Sequence, residues 1–103
     1  MVYVDEMLDW GPHRGLWCHM LADDLTELHA MAKRIGLRRA WFQGGLLRTT
    51  TKTTVPHYDL REKYRTRAVA AGAITDRAWF EYCLATWRRK LRAIGVEPEQ
   101  SLG

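Results

Sequence analysis

Cysteine is scarce in this chain. Cys18 and Cys83 are the only two in 103 residues, too few for a disulfide framework, and no CxxC pair offers a zinc or redox site. They are expected as buried thiols. No apolar run approaches the ~20 residues of a bilayer span, which excludes a transmembrane role. The opening segment Met1–Met7 has neither a basic n-region nor a small-residue cleavage site, so the expected location is the cytoplasm. GxxxxGK[ST], GxGxxG and GxSxG are all missing, which removes P-loop, dinucleotide-fold and hydrolase-elbow readings. HxxxH and HExxH are missing too, so spacing alone announces no metal centre.

What is present is a globular composition, 47% hydrophobic and 27% charged, with five tryptophans. The length allows one domain, residues 1–94, and 95–103 read as a flexible tail with few apolar groups. The net charge is +4. Seven basic and seven acidic residues balance over the first sixty positions, and the excess lies beyond them. Such a bias favours an anionic ligand without demonstrating one.

Val2–Val4 suits a short strand, and Asp9–Gly15, with two glycines and a proline, a loop. Leu16–Ala22 is a second strand. Asp24-Leu-Thr-Glu27 is a capping box, and Leu25, Leu28, Met31, Ala32 and Ile35 continue at helical spacing to a stop at Gly36. Arg39–Gln43 suits a strand, Gly44-Gly45 breaks regular structure, and Arg48–Thr54 reads as an exposed loop. Asp59-Leu-Arg-Glu62 repeats the capping pattern and predicts a helix to about Ala71. A last short strand is expected at Gly72–Thr75. Thr75 or Asp76 then caps a long amphipathic helix with Trp79, Cys83, Trp87, Leu91 and Ile94 on one face. This alternation predicts an α/β domain, with a short, mostly parallel sheet flanked by three helices. In such sheets ligands sit beyond the carboxyl ends of the strands.

Several polar residues fall there. Asp5 follows the first strand, where acids hold metals or act as bases. His19 lies among apolar neighbours and is the residue type best suited to proton transfer near neutral pH. Cys18, its neighbour, should point to the opposite face and is no nucleophile candidate. His29 flanks the apolar face of the first helix. His57 and Asp59, two apart in an extended segment, share a face, an arrangement suited to acid–base work or metal binding. Lys63 and the N-terminus of the second helix suit a phosphate. Trp17, Trp41 and Gln43 are candidates for stacking and bonding a base, and Trp10 for a lid. His13 is expected to be exposed and idle. Were a divalent metal bound, Asp5, His19, His57 and Asp59 would be its ligands.

Several segments together resemble a family of short, uncharacterised bacterial and phage proteins with a domain of unknown function. They are Val2-Tyr-Val-Asp5 with Met7, Trp17-Cys-His-Met-Leu-Ala-Asp23, Glu27-Leu-His-Ala-Met-Ala32, Ile35-Gly36, Trp41-Phe-Gln43, Pro56-His-Tyr-Asp-Leu60, Lys63 and Gly72-Ala73. The resemblance spans about residues 1–75. It implies that Asp5, His19, His29, His57, Asp59 and Lys63 form a shared polar signature, but implies no reaction. The expected function is binding of a phosphorylated, nucleotide-like small molecule, with hydrolysis or transfer at a phosphate or glycosidic bond. Sequestration of such a nucleotide without chemistry is the alternative. Nucleic-acid binding through Arg61, Arg65, Arg67, Arg88, Arg89, Lys90 and Arg92 ranks last, since no reader motif supports it. A homodimer through the last helix is left open.

Overall fold

The computed structural model describes residues 1–44 and 54–97. The reading of Arg48–Thr54 as a loop, all but Thr54, and most of the expected tail therefore lie outside the described residues. The elements are β1 (Val2–Val4), β2 (Leu8–Asp9), β3 (Leu16–Ala22), α1 (Leu25–Ile35), a 3-10 turn (Arg39–Trp41), β4 (Tyr58–Leu60), α2 (Glu62–Ala70) and α3 (Arg77–Ala93). Among the described residues no helix is long and apolar enough to cross a membrane.

β3 is the central strand. Its C-terminal half pairs with β1 through Val4↔Met20, and its N-terminal end pairs with β2 through Leu8↔Trp17. On its other edge it pairs with β4 through His19↔Asp59. All three pairings are antiparallel, which corrects the expected mostly parallel sheet. α1 follows β3 as a crossover helix would, but β4 runs opposite to β3, pairing Leu60 with Cys18 and Tyr58 with Met20. The one parallel pairing among the described residues is the isolated bridge Tyr3↔Ile74, all that forms of the strand expected at Gly72–Thr75.

Alternation along the strands sorts the core into two layers. Val2, Val4, Cys18, Met20, Tyr58 and Leu60 pack against Leu28, Ala32 and Ile35 of α1 and Ala68 of α2. On the opposite face, Tyr3 and Leu21 meet Phe80, Cys83, Leu84 and Leu91 of α3. α1 is capped as expected, Asp24 accepting from the Glu27 N–H at 2.8 Å. Asp76 caps α3 through the Trp79 N–H at 3.1 Å.

Three local expectations are corrected. Arg39–Trp41 is a 3-10 turn, and only Gln43 of the expected strand pairs, with His57. Asp59 lies inside β4 and does not cap a helix; α2 starts at Glu62, and its N-cap residue Arg61 makes no side-chain capping bond. Pairing with Cys18–Met20 keeps the chain extended past the local capping signal. On α3, Trp79 and Ile94 are exposed, and Phe80 and Leu84 take the inner stripe with Cys83 and Leu91. A four-residue step gains about 40°, which leaves Trp79 at the margin of a stripe centred near Phe80, Trp87 and Leu91, and Ile94 is the C-cap residue beyond the last helical turn.

Candidate functional site

α3 covers only the part of its sheet face around Tyr3 and Leu21. The same alternation, continued along the strands, puts Trp17 and His19 of β3, His57 and Asp59 at β4, and Asp5 after β1 on the rest of that face. Each is held by a specific contact. Asp5 Oδ1 accepts the His19 backbone N–H at 2.5 Å, and Asp5 Oδ2 takes His19 Nδ1 at 2.7 Å. Arg65 of α2 donates from Nε to the Asp5 carbonyl at 2.8 Å, anchoring that loop. His57 is fully buried and donates from Nδ1 to the Val55 carbonyl at 2.7 Å. Gln43 donates from Nε2 to Asp59 Oδ2 at 2.6 Å.

These partners decide the tautomers. A carboxylate and a carbonyl only accept, so Nδ1 carries the hydrogen in both rings and each Nε2 presents a lone pair when neutral. Both Nε2 atoms turn towards Asp59 Oδ1, His57 at 3.3 Å and His19 at 3.9 Å. The contact with His57 is close, yet neither His57 Nε2 nor Asp59 Oδ1 has a hydrogen-bond partner although both are buried. Burial by itself raises the pKa of the Asp59 carboxyl, but His57 when its ring is protonated, the Gln43 amide and the charge of a protonated His19 outweigh it and hold the group below its ordinary value.

Two glycines make this packing feasible. The Arg61 guanidinium lies 3.9 Å from the centroid of the Trp17 ring, and a Cβ on Gly15 would come within 2.7 Å of it. Gly44, with φ +105°, lets the chain run against Pro56; a Cβ there would stand 2.8 Å from the Pro56 backbone. That close approach keeps Gln43 and His57 joined by two reciprocal backbone bonds of 3.0 Å.

Two adjoining hollows open over the cluster. One, of about 490 Å³, has walls of Trp17, Trp41, Phe42 and Tyr64, with Gln43 and Asp59 at its polar end. The other, of about 390 Å³, is lined by Trp10, His13, Arg14, His19 and Arg61. They share Trp17, Asp59 and Arg61. Trp10 stands edge-on to His19 at 5.8 Å.

Of the residues expected at the site, Asp5, His19, His57, Asp59, Trp17, Trp41 and Gln43 are brought together. Two are not. His29 bonds the Tyr58 hydroxyl at 2.8 Å and packs on Phe42, on the opposite side of β4 from Asp59; burial and then Arg39 lower its pKa. Lys63 is exposed, its Nζ 5.0 Å from the Tyr64 ring centroid, and it lines neither hollow. The cations present are Arg14 and Arg61. Arg61 had a legible signal, since it continues the alternation His57, Asp59, Arg61. His13 is exposed as expected but borders the second hollow.

The fold and this site define a small antiparallel α+β domain with a polar His/Asp centre beneath an aromatic and basic cleft. The family model described as "Protein of unknown function (DUF4031)" matches residues 2–82, and the chain belongs to that family. No curated protein and no solved structure matches it.

Proposed function

We propose that the protein binds a phosphorylated, nucleotide-like molecule across the cleft and hydrolyses it, or transfers a group from it, at a phosphate or glycosidic bond. The observation that carries this reading is the junction of two unlike hollows at Asp59, Trp17 and Arg61. The aromatic hollow suits a heteroaromatic base, for which stacking contributes about 1–3 kcal/mol per base. The basic hollow suits a phosphate, with Arg14 and Arg61 in the role expected of Lys63. The bond between base and phosphate then spans the boundary, above His19 Nε2. Asp5 behind that ring fixes its orientation, an arrangement able to move a proton or hold an electrophile.

The test is titration with AMP and GMP, followed by calorimetry and by the side-chain NMR signals of Trp17, Trp41 and His19, with chromatography of the products. Micromolar to millimolar binding is expected, weakened about 10–100-fold by Arg61→Ala, the loss of one charge-assisted contact. Binding with unchanged nucleotide recovered assigns the sequestering alternative. Absence of binding, or perturbation confined to residues outside the cleft, overturns the reading.

A further inference from the structure

The facing pair His57 Nε2 and Asp59 Oδ1, both buried and without a hydrogen bond, needs an explanation. A buried imidazole nitrogen and a buried carboxylate oxygen standing 3.3 Å apart without a hydrogen bond leave both desolvated and unpaid by any donor, which is costly unless something sits between them. His57 cannot turn its other nitrogen inward, because Nδ1 is committed to Val55. His19 adds a third lone pair from Nε2, its Nδ1 committed to Asp5. We propose that His19 Nε2, His57 Nε2 and Asp59 Oδ1 are the protein ligands of one divalent transition-metal ion, zinc by its geometry, whose fourth position faces the basic hollow.

Distances support this. Four ligands at 2.0–2.1 Å around a tetrahedral zinc ion lie about 3.3 Å from one another, and two imidazoles on it have centroids about 5.2 Å apart. The His57–Asp59 edge is 3.3 Å. Both separations involving His19 are longer than the ideal by similar amounts, 3.9 Å to Asp59 and 5.7 Å between the rings. As they stand, no three side chains among the described residues already form a metal-holding group; to bind the ion, His19 would have to close by roughly half an ångström on both Asp59 and His57. The outer shell is already complete. Asp5 backs one imidazole, a main-chain carbonyl the other, and Gln43 holds the second carboxylate oxygen, the supports that metal-bound histidines and carboxylates ordinarily have. Two histidines and one carboxylate with an open position is a catalytic pattern, since the ion can polarise a phosphate oxygen or activate water there. Asp59 and His19 line the hollow that such a ligand would enter.

The inference rests on the same residues as the proposed function but not on the nucleotide reading. Chelator-stripped protein is titrated with Co²⁺, which absorbs strongly in the visible only at low coordination number. One equivalent should bind with four-coordinate bands, lost in Asp59→Asn and His19→Ala and kept in His29→Ala. Because His57 is buried, its variants are replaced by a stability readout. Zn²⁺ at a hundredfold excess over its Kd should raise the melting temperature of the parent by roughly 10–20 °C and leave His19→Ala unmoved. Weak six-coordinate bands, bands indifferent to Asp59→Asn, or no shift in melting temperature would overturn the proposal, leaving His57 and Asp59 as an ion pair. AMP titration in chelator reports on the ligand reading separately, so the two fail independently.

Discussion

Two halves of one sheet face carry opposite kinds of residue. Where α3 lies on it, Tyr3 and Leu21 meet Phe80, Cys83 and Leu91 in a closed apolar layer. Where α3 does not reach, the same face holds Asp5, His19, His57 and Asp59, of which His19 and Asp59 border the cleft. The change occurs within two residues on β3, between Leu21 and His19. Shape and solvent exclusion settle the first half. The second concentrates lone pairs and leaves His57 Nε2, Asp59 Oδ1 and Trp10 Nε1 buried and unmatched, a stability cost that makes sense at a site and not in a scaffold.

That contrast is open to direct attack. The largest effect is expected in the covered half: Leu21→Ala and Phe80→Ala should each cost about 2–5 kcal/mol in chemical denaturation, by loss of buried surface and cavity formation. A loss below 1 kcal/mol for both would show that α3 is only loosely docked. Gly44→Ala comes next. The left-handed backbone and the contact with Pro56 should cost about 1–3 kcal/mol and shift the NMR signals of Gln43 and His57, whereas signals of Phe80 and Leu84 stay in place. Thiol reactivity then separates core from site. Burial pushes the thiols of Cys18 and Cys83 up to about 12, so neither should react with a disulfide reagent at pH 8 until the chain unfolds; labelling of the native protein within minutes would contradict this. The smallest effect is a pH dependence from His29. Its pKa is lowered in the fold, so the folded state favours the neutral ring. Stability from this group is present above its unfolded pKa of about 6.5 and declines as pH falls below that value. His29→Phe should flatten the melting-temperature profile between pH 7 and pH 5, and an unchanged slope would remove His29 as its source.

The comparison also shows which parts of the molecule were legible beforehand. β3 and α1 could be read because local signals and tertiary packing agree there: seven residues of strand former, then an acidic cap, an apolar stripe and a glycine stop. His57 and Asp59 were legible as a pair because a two-residue spacing in an extended chain puts both on one face, whatever the partner strand. Strand direction was not legible, since it is set by how β4 meets β3, and the sequence between Leu37 and His57 carries no periodic pattern that would announce it. Asp59 misled because its capping signal is local, and pairing with β3 overrides it. His29 misled for a different reason: the flank of a helix can face the cleft or the rear of β4, and only the packing of Tyr58 and Phe42 decides. Of the cations of the cleft, Arg14 looked like ordinary surface charge, whereas Arg61 carried a signal in the alternation His57, Asp59, Arg61 that the helix-cap reading of Asp59 concealed.

The most direct test sets His19→Ala beside Leu21→Ala, two positions apart on the same strand and the same face. Melting temperature and Co²⁺ binding are measured for both. The account predicts that His19→Ala melts within a few degrees of the parent and no longer binds Co²⁺, whereas Leu21→Ala melts well below it and still binds in the cold. If His19→Ala is as unstable as Leu21→Ala, and the parent binds no ion, the polar half is a structural cluster and not a site.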